Sequence, residues 1–299
     1  MQPKIDIGVA CSSHQTPSWW SALFALIFRE QERGVIEMGQ MLAVQSALPD
    51  FNKNLSVGMR FAPETENRRN EKTDANRNAA VHGFIEGNPD SGWLADYIFW
   101  VDDDTVPPDG TIGKLLRMER EIAAGLYFNG NPPYNPIAYL RKKGGFYEAL
   151  WDYPENGIIP VDSVGMGCTL IHRSVYEKIK ADNEIFQRPT GSLFPIHKSL
   201  VYNFNEPTLN SRPDVFYNHG YLHMKVLKPA LDNVEDSRLF PFYCMEYGRT
   251  EDHHFCELAQ ASGVGIWVDT SIKCEHHKGK AYTHADYLLA RNKKELGEE

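Results

Sequence analysis

The sequence predicts an α/β fold, a mixed central sheet flanked by helices with one irregular insertion. Short runs of β-branched and aromatic residues alternate with amphipathic helical stretches. Tyr97-Ile98-Phe99-Trp100-Val101 is apolar throughout, as a strand covered by helices on both faces must be. Asp102-Asp103-Asp104 follow at once, and Pro107-Pro108 then forbid the strand to continue. In an open α/β sheet, ligands bind outside the carboxyl ends of the strands, where these acids lie.

Bulk properties narrow the function. A chain of 299 residues can bury a substantial core, and 42% hydrophobic with 24% charged residues makes global disorder a poor reading. The formal net charge of −9 argues against a nucleic-acid backbone or an anionic membrane as the main partner. Five scattered cysteines without a CxxC pair predict reduced thiols in a cytoplasmic protein. The first residues lack an apolar signal core, and the most apolar helical run, Trp19 to Phe28, is too short to span a bilayer.

The elements follow in order. Ile5 to Ala10 reads as a first strand, and the polar loop Cys11 to Ser18 places Ser12 on the ligand side. Ser18 is a candidate N-cap for a helix from Trp19 to Phe28. No GxGxxG is present, so a dinucleotide fingerprint is absent. Met38 to Leu48 predicts a second strand, and Asp74 onward a helix ending near Gly87, before the strand at Tyr97. Thr111 to Glu121 predicts a helix and Ile122 to Phe128 a strand. Pro136–Leu140 and Gly145–Leu150 predict a hairpin about Arg141 to Gly144. Val161 to His172 reads as one strand interrupted by glycines, with a helix from Ser174 to Lys180 behind it. Residues 183–240 show no periodicity and read as an insertion or lid. Thr250 opens a helix to Gln260, Val264 to Val268 is a late strand, and Tyr282 to Glu299 is a charged helix or tail.

Four features carry chemistry. Alternate residues of an extended segment point to opposite sides, so Asp102 and Asp104 share one side and Asp103 takes the other, in a supporting or solvent-facing role. Such carboxylates suit Mg2+ or Mn2+ serving a phosphate-bearing ligand; the plainer reading is an acidic turn in water. Glu251-Asp252 behind Thr250 are favoured by the helix dipole alone, but in a cleft Asp252 can take a proton from an attacking hydroxyl. His276-His277 offers a nitrogen ligand after the late strand; His253-His254 is a second pair, and the absence of HExxH removes a zinc-protease reading. Gly165-Met166-Gly167 either lines a substrate pocket or reflects close packing. Arg77 either pairs with a phosphate through its forked donors or is a solvated helix arginine.

The order of these segments resembles the GT-A glycosyltransferases, Rossmann-like enzymes, and within them the family 2-like group. The likeness rests on Ala75-Asn76-Arg77-Asn78, Phe99-Trp100-Val101-Asp102-Asp103-Asp104 as a DxD motif, Ala124 to Phe128, Val164 to Ile171, Thr250-Glu251-Asp252 and Asp269 to His276. It implies one catalytic domain over residues 1–280, with a nucleotide-sugar half (1–110), an acceptor half (111–280, insertion 183–240) and a terminal segment 281–299. It implies a UDP- or GDP-sugar donor near Ser12, Arg77, Asp102 and Asp103, and Mn2+ or Mg2+ held by Asp102, Asp104 and His276, with His277 competing. Asp252 becomes the base of an inverting transfer with Glu251 near the acceptor, and Gly165, Met166 and Gly167 line the acceptor side. The acceptor itself is not implied.

Two rivals stand beside this. Asp102-Asp103-Asp104-Thr105-Val106 also matches the nucleophile motif of haloacid-dehalogenase-type phosphatases, with Asp102 attacking and Asp104 as acid/base. That motif usually opens its domain, whereas about a hundred residues precede it here. The other rival is a nucleotide-sugar-binding protein without turnover.

Overall fold

The computed structural model describes residues 2–10, 17–43, 59–61, 73–89, 91–143, 145–187, 193–197, 228–229, 240–245, 250–277 and 281–296. In chain order these form β1 (Lys4–Ala10), α1 (Pro17–Glu32), β2 (Glu37–Ala43), β3 (Met59–Phe61), α2 (Thr73–Glu86), β4 (Tyr97–Asp102), β5 (Thr105–Val106), α3 (Thr111–Arg117) and β6 (Ile122–Leu126). There follow β7 (Ala138–Arg141), β8 (Tyr147–Ala149), β9 (Ile158–Val161), β10 (Ser163–Val164), β11 (Cys168–His172), α4 (Arg173–Asp182), β12 (Asn183–Gln187), β13 (Leu193–His197) and β14 (Lys228–Pro229). The last are α5 (Glu251–Ala261), β15 (Ile266–Lys273), β16 (Glu275–His277), β17 (Ala281–Tyr282) and α6 (His284–Leu296).

The central sheet has eight strands in the order β3-β2-β1-β4-β11-β6-β15-β9. The four neighbours β3, β2, β1 and β4 pair in parallel, as do β6 and β15, while β11 runs antiparallel between β4 and β6. The carboxyl ends of β1, β4, β6 and β15 therefore meet the amino end of β11 along one edge. Ala10 and Cys168 flank the end of β4 there, opposite Asp102 and Val101 respectively.

Strand alternation splits the core into two layers. From β4, Ile98 and Trp100 pack with Val81 and Phe84 of α2, Val175 and Tyr176 of α4 and Phe255 of α5. Phe99 and Val101 pack on the other side with Leu23, Leu26 and Ile27 of α1 and Ile112 and Leu115 of α3. Each such side chain, fully buried, contributes about 1.5–3 kcal/mol, so the edge that carries the acids rests on a stiff base. Arg173 of α4 fixes α2: it donates to the carbonyls of Phe84 (2.8 Å), Ile85 (3.1 Å) and Ala95 (2.8 Å), two of them orphans of the helix end.

Several expectations change in detail. α1 starts at Pro17, whose fixed φ suits a first helical position, so Ser18 lies inside the first turn instead of capping it. α3 stops at Arg117, and Glu119 beyond it has φ 51°. The β7–β8 hairpin forms in antiparallel register. The single strand expected from Val161 to His172 is three: β9 ends in the central sheet, β10 joins β7 and β8, and β11 re-enters the central sheet. Gly165-Met166-Gly167 is the crossover between sheets. The region expected to be irregular holds β12, β13 and β14 in one antiparallel sheet. No helix among the described residues is long and apolar enough to cross a membrane. Cys168, Cys244, Cys256 and Cys274 are buried thiols.

Candidate active site

The acidic turn is built by the end of β4 and by a ribbon beside it. Asp102 closes β4, Asp103 and Asp104 turn, and β5 leaves antiparallel to β16 with Thr105 opposite His276. Exposure alternates along the turn. Asp103 is buried at 9% exposure, which corrects the solvent-facing alternative, while the side chains of Asp102 and Asp104 keep 22% and 30% of their surface open.

The β5–β16 register brings His276 onto Asp104. The Asp104 carbonyl accepts from the backbone N–H of His277 (2.6 Å), and His276 Nε2 lies 3.0 Å from Asp104 Oδ2. His276 Nδ1 is 2.6 Å from the Phe128 carbonyl, which can only accept, so Nδ1 carries a proton. Between Nε2 and the carboxylate there is then place for one positive charge, either a second ring proton, as in an ordinary ion pair, or a bound cation. Two cis ligands of an octahedral ion at about 2.1 Å lie about 3.0 Å apart, so these two atoms suit one Mn2+ or Mg2+. Of the two histidines left open by the sequence, His276 is buried here, whereas His277 is exposed and pairs with Glu275 at 2.9 Å.

Asp102 is turned elsewhere. Its Oδ1 accepts from Arg77 Nη2 at 2.9 Å, and Arg77 Nε lies 3.4 Å from both Glu251 Oε1 and Asp252 Oδ1. Among the described residues no group of three or more His, Cys, Asp or Glu side chains is disposed to hold one ion. Asp102 is thus not gathered with Asp104 and His276, because an arginine occupies it.

Arg77 is 2% exposed, which overturns the solvated-arginine reading. Its guanidinium lies over Trp100 at 5.3 Å and Tyr243 at 6.0 Å. An unpaired charge at that depth would cost several kcal/mol, so the carboxylates are the condition of its burial. Asn78, the next residue but one in α2, fastens the Tyr243 backbone with a donated bond of 2.7 Å and an accepted one of 2.9 Å.

The acids of α5 arise from a helix start. Thr250 caps α5, its Oγ1 accepting from His253 N at 3.5 Å, and the first turn carries Glu251 and Asp252. Glu251 is buried against Arg77, while the Asp252 side chain keeps 17% of its surface open and its Oδ2 accepts from Met166 N at 3.3 Å. Burial pushes the Asp252 carboxyl up to about 7, and nearby Glu251 and Asp102 push the same way. Arg77 and the Met166 N–H oppose them.

The glycine crossover needs glycine. A Cβ on Gly165 would strike the Tyr127 hydroxyl and sit 2.7 Å from Ile137 Cγ2. One on Gly167 would lie 2.7 Å from Tyr127 Cζ and 3.0 Å from Asp102 Oδ2. Tyr127 is a site residue that the sequence pattern does not single out, because it lies in an apolar run that looks like plain strand. Its buried hydroxyl accepts from Gly167 N at 3.2 Å and its ring meets His276 edge-on at 5.6 Å. The contacts of His253 are equally silent in the sequence: its ring stacks on Tyr147 at 4.3 Å and its Nδ1 is 2.6 Å from Ser163 Oγ. Ser12 lies outside the described residues.

No protein-family model matches the chain. No curated protein matches it in sequence. Among solved structures, A197 from STIV aligns over 93% of this chain and 86% of that one, at 15% identity and a TM-score of 0.41. GalNAc-T7 with UDP, GalNAc and Mn2+ aligns over 97% of this chain and 47% of that one, at 10% identity and a TM-score of 0.45. Likenesses at this level do not bear on the chemistry of the site.

Proposed function

We propose that the chain is a metal-dependent glycosyltransferase of GT-A type, moving a sugar from a nucleotide-diphosphate sugar to an acceptor hydroxyl. The observation that supports this most is the pairing of Asp104 Oδ2 with His276 Nε2 at 3.0 Å, on the same sheet edge as an Asp102–Arg77–Asp252 chain of ion pairs. In this reading Asp104 and His276 hold Mn2+ or Mg2+, which neutralises charge growing on the diphosphate leaving group. Asp102 and the buried Asp103 form the floor on the donor side. Asp252 accepts the proton of the acceptor hydroxyl in an inverting transfer, and a carboxyl titrating near 7 is matched to that task. Glu251 stands behind it, and the Gly165–Gly167 crossover, packed against Tyr127 and at Gly167 close to Asp102, lines the acceptor side.

The phosphatase alternative asks Asp102 to attack phosphorus, yet its Oδ1 is held at 2.9 Å by a buried arginine, and Asp252 and His276 keep no task. The test is release of nucleoside diphosphate from UDP- and GDP-sugars in the presence of Mn2+. The reading expects metal-dependent release, and acceptor-dependent transfer at least ~100-fold slower in Asp252→Asn. Turnover of a simple aryl phosphate without any nucleotide release would replace it with the phosphatase. Nucleotide binding without release or transfer under any condition would leave a binding protein.

A further inference from the structure

We propose that Arg77 is a positioning residue, which holds the Asp252 carboxyl aimed at the Gly165–Gly167 crossover and keeps Asp102 turned away from Asp104 and His276. This rests on the assignment of Asp252 as the base. Three observations carry it. First, Arg77 cannot serve as a phosphate clamp where it stands. It is 2% exposed, with Nη2 donating to Asp102 and Nε to Glu251, while Asp252 Oδ1 pairs with Nε by charge at 3.4 Å; among the described residues neither Asp252 Oδ1 nor Arg77 Nη1 has a hydrogen-bond partner. A phosphate brought there would meet three like charges. Second, the seat is built around the guanidinium: Trp100 and Tyr243 cover it by cation–π contacts, Tyr243 stacks on Phe255 of α5 at 4.7 Å, and Asn78 holds the Tyr243 backbone. α2 and α5 are thereby tied together through Tyr243.

Third, the surroundings of Asp252 are one-sided. Around it stand Asp102 of β4, Glu251 on its own helix, the phenols of Tyr127, Tyr139 and Tyr243, and the Cys256 thiol, all neutral or negative. Met166 N–H supplies one hydrogen bond. Arg77 is the cation that acts on it, and His253 and His254 follow it on α5. With that cation removed, burial and two neighbouring carboxylates act unopposed, and Asp252 keeps its proton at neutral pH.

The test is a carboxyl titration of the ligand-free, full-length chain by 13C NMR with labelled aspartate, the Asp252 resonance assigned with Asp252→Asn. In Arg77→Gln the Asp252 midpoint is expected to rise by more than about one pH unit, and Arg77→Lys to recover at least half of that rise. Arg77→Gln folded, with Asp252 titrating as in the wild type, would overturn the proposal. If Arg77→Gln does not fold, Asp102→Asn decides: freed of one rival carboxylate, Asp252 should titrate lower, and an unchanged midpoint sinks the coupling. No donor, acceptor or metal enters the measurement. A failed nucleotide-sugar assay with a shifted midpoint would therefore remove the enzyme while leaving the Arg77–Asp252 coupling. An unshifted midpoint with intact transfer would do the reverse.

Discussion

Gly165→Ala tests the crossover. The added methyl would overlap the Tyr127 hydroxyl and approach Tyr127 Cζ at 2.9 Å and Ile137 Cγ2 at 2.7 Å, all closer than side chains tolerate. Tyr127 cannot swing aside, because it is 5% exposed and its hydroxyl is held by Gly167 N. Overpacking of this kind costs about 1–3 kcal/mol. Tyr127→Phe removes the atom in worst conflict but leaves the ring carbon and Ile137, so relief should be partial. Urea unfolding followed by tryptophan fluorescence across the four proteins of the cycle gives the coupling. The expected interaction between Gly165→Ala and Tyr127→Phe exceeds about 0.5 kcal/mol, in the direction of relief. Additive effects would show that the crossover does not press on Tyr127, and the account of why two glycines stand there would fail.

Asp252→Asn should be inactive and yet more stable at high pH. The group's ordinary value of 3.8 rises to about 7 in the fold, so between those values the folded chain holds a proton that the unfolded chain has released. Its contribution is full below about pH 4 and is lost as pH climbs through 7. The substitution should therefore gain about 1–2 kcal/mol at pH 8 and little at pH 5. That is well under the full linkage value because 17% of the carboxylate side chain stays open to water. Denaturant midpoints at both pH values read this, and equal gains would refute it. His277→Ala, which breaks only an exposed pair with Glu275, should leave Mn2+ affinity unchanged, whereas His276→Ala should weaken it at least ~10-fold by titration calorimetry. Arg173→Ala should cost about 1–3 kcal/mol by stripping the donors from the carbonyls of Phe84, Ile85 and Ala95, with hydrogen exchange rising at the end of α2.

Local signals carry much of the fold. The apolar run at Tyr97 is a doubly buried strand, Gly87 with φ 67° marks the end of α2, and Thr250 caps α5, because each depends on neighbours a few residues away. What stays hidden depends on distance along the chain. Arg77 is buried only because partners 25 and 174 residues further on supply its counter-charges. Alternation gives Asp103 its own side of the turn, but periodicity does not say whether a side faces water or core. The glycines in Val161 to His172 are legible as an interruption. That the chain changes sheets there, over Tyr127, depends on where β6 and β7 lie.

The central claim is that Asp104 and His276 hold a divalent ion that receives a nucleoside diphosphate. Thermal unfolding with UDP and GDP, each with and without Mn2+, tests it most directly. At a ligand concentration about a hundred times the dissociation constant the gain is about 2.7 kcal/mol. The account expects such a gain from one nucleotide only with the metal present, and its loss in His276→Ala and Asp104→Asn. A wild-type chain that neither nucleotide stabilises in the presence of Mn2+ would contradict it.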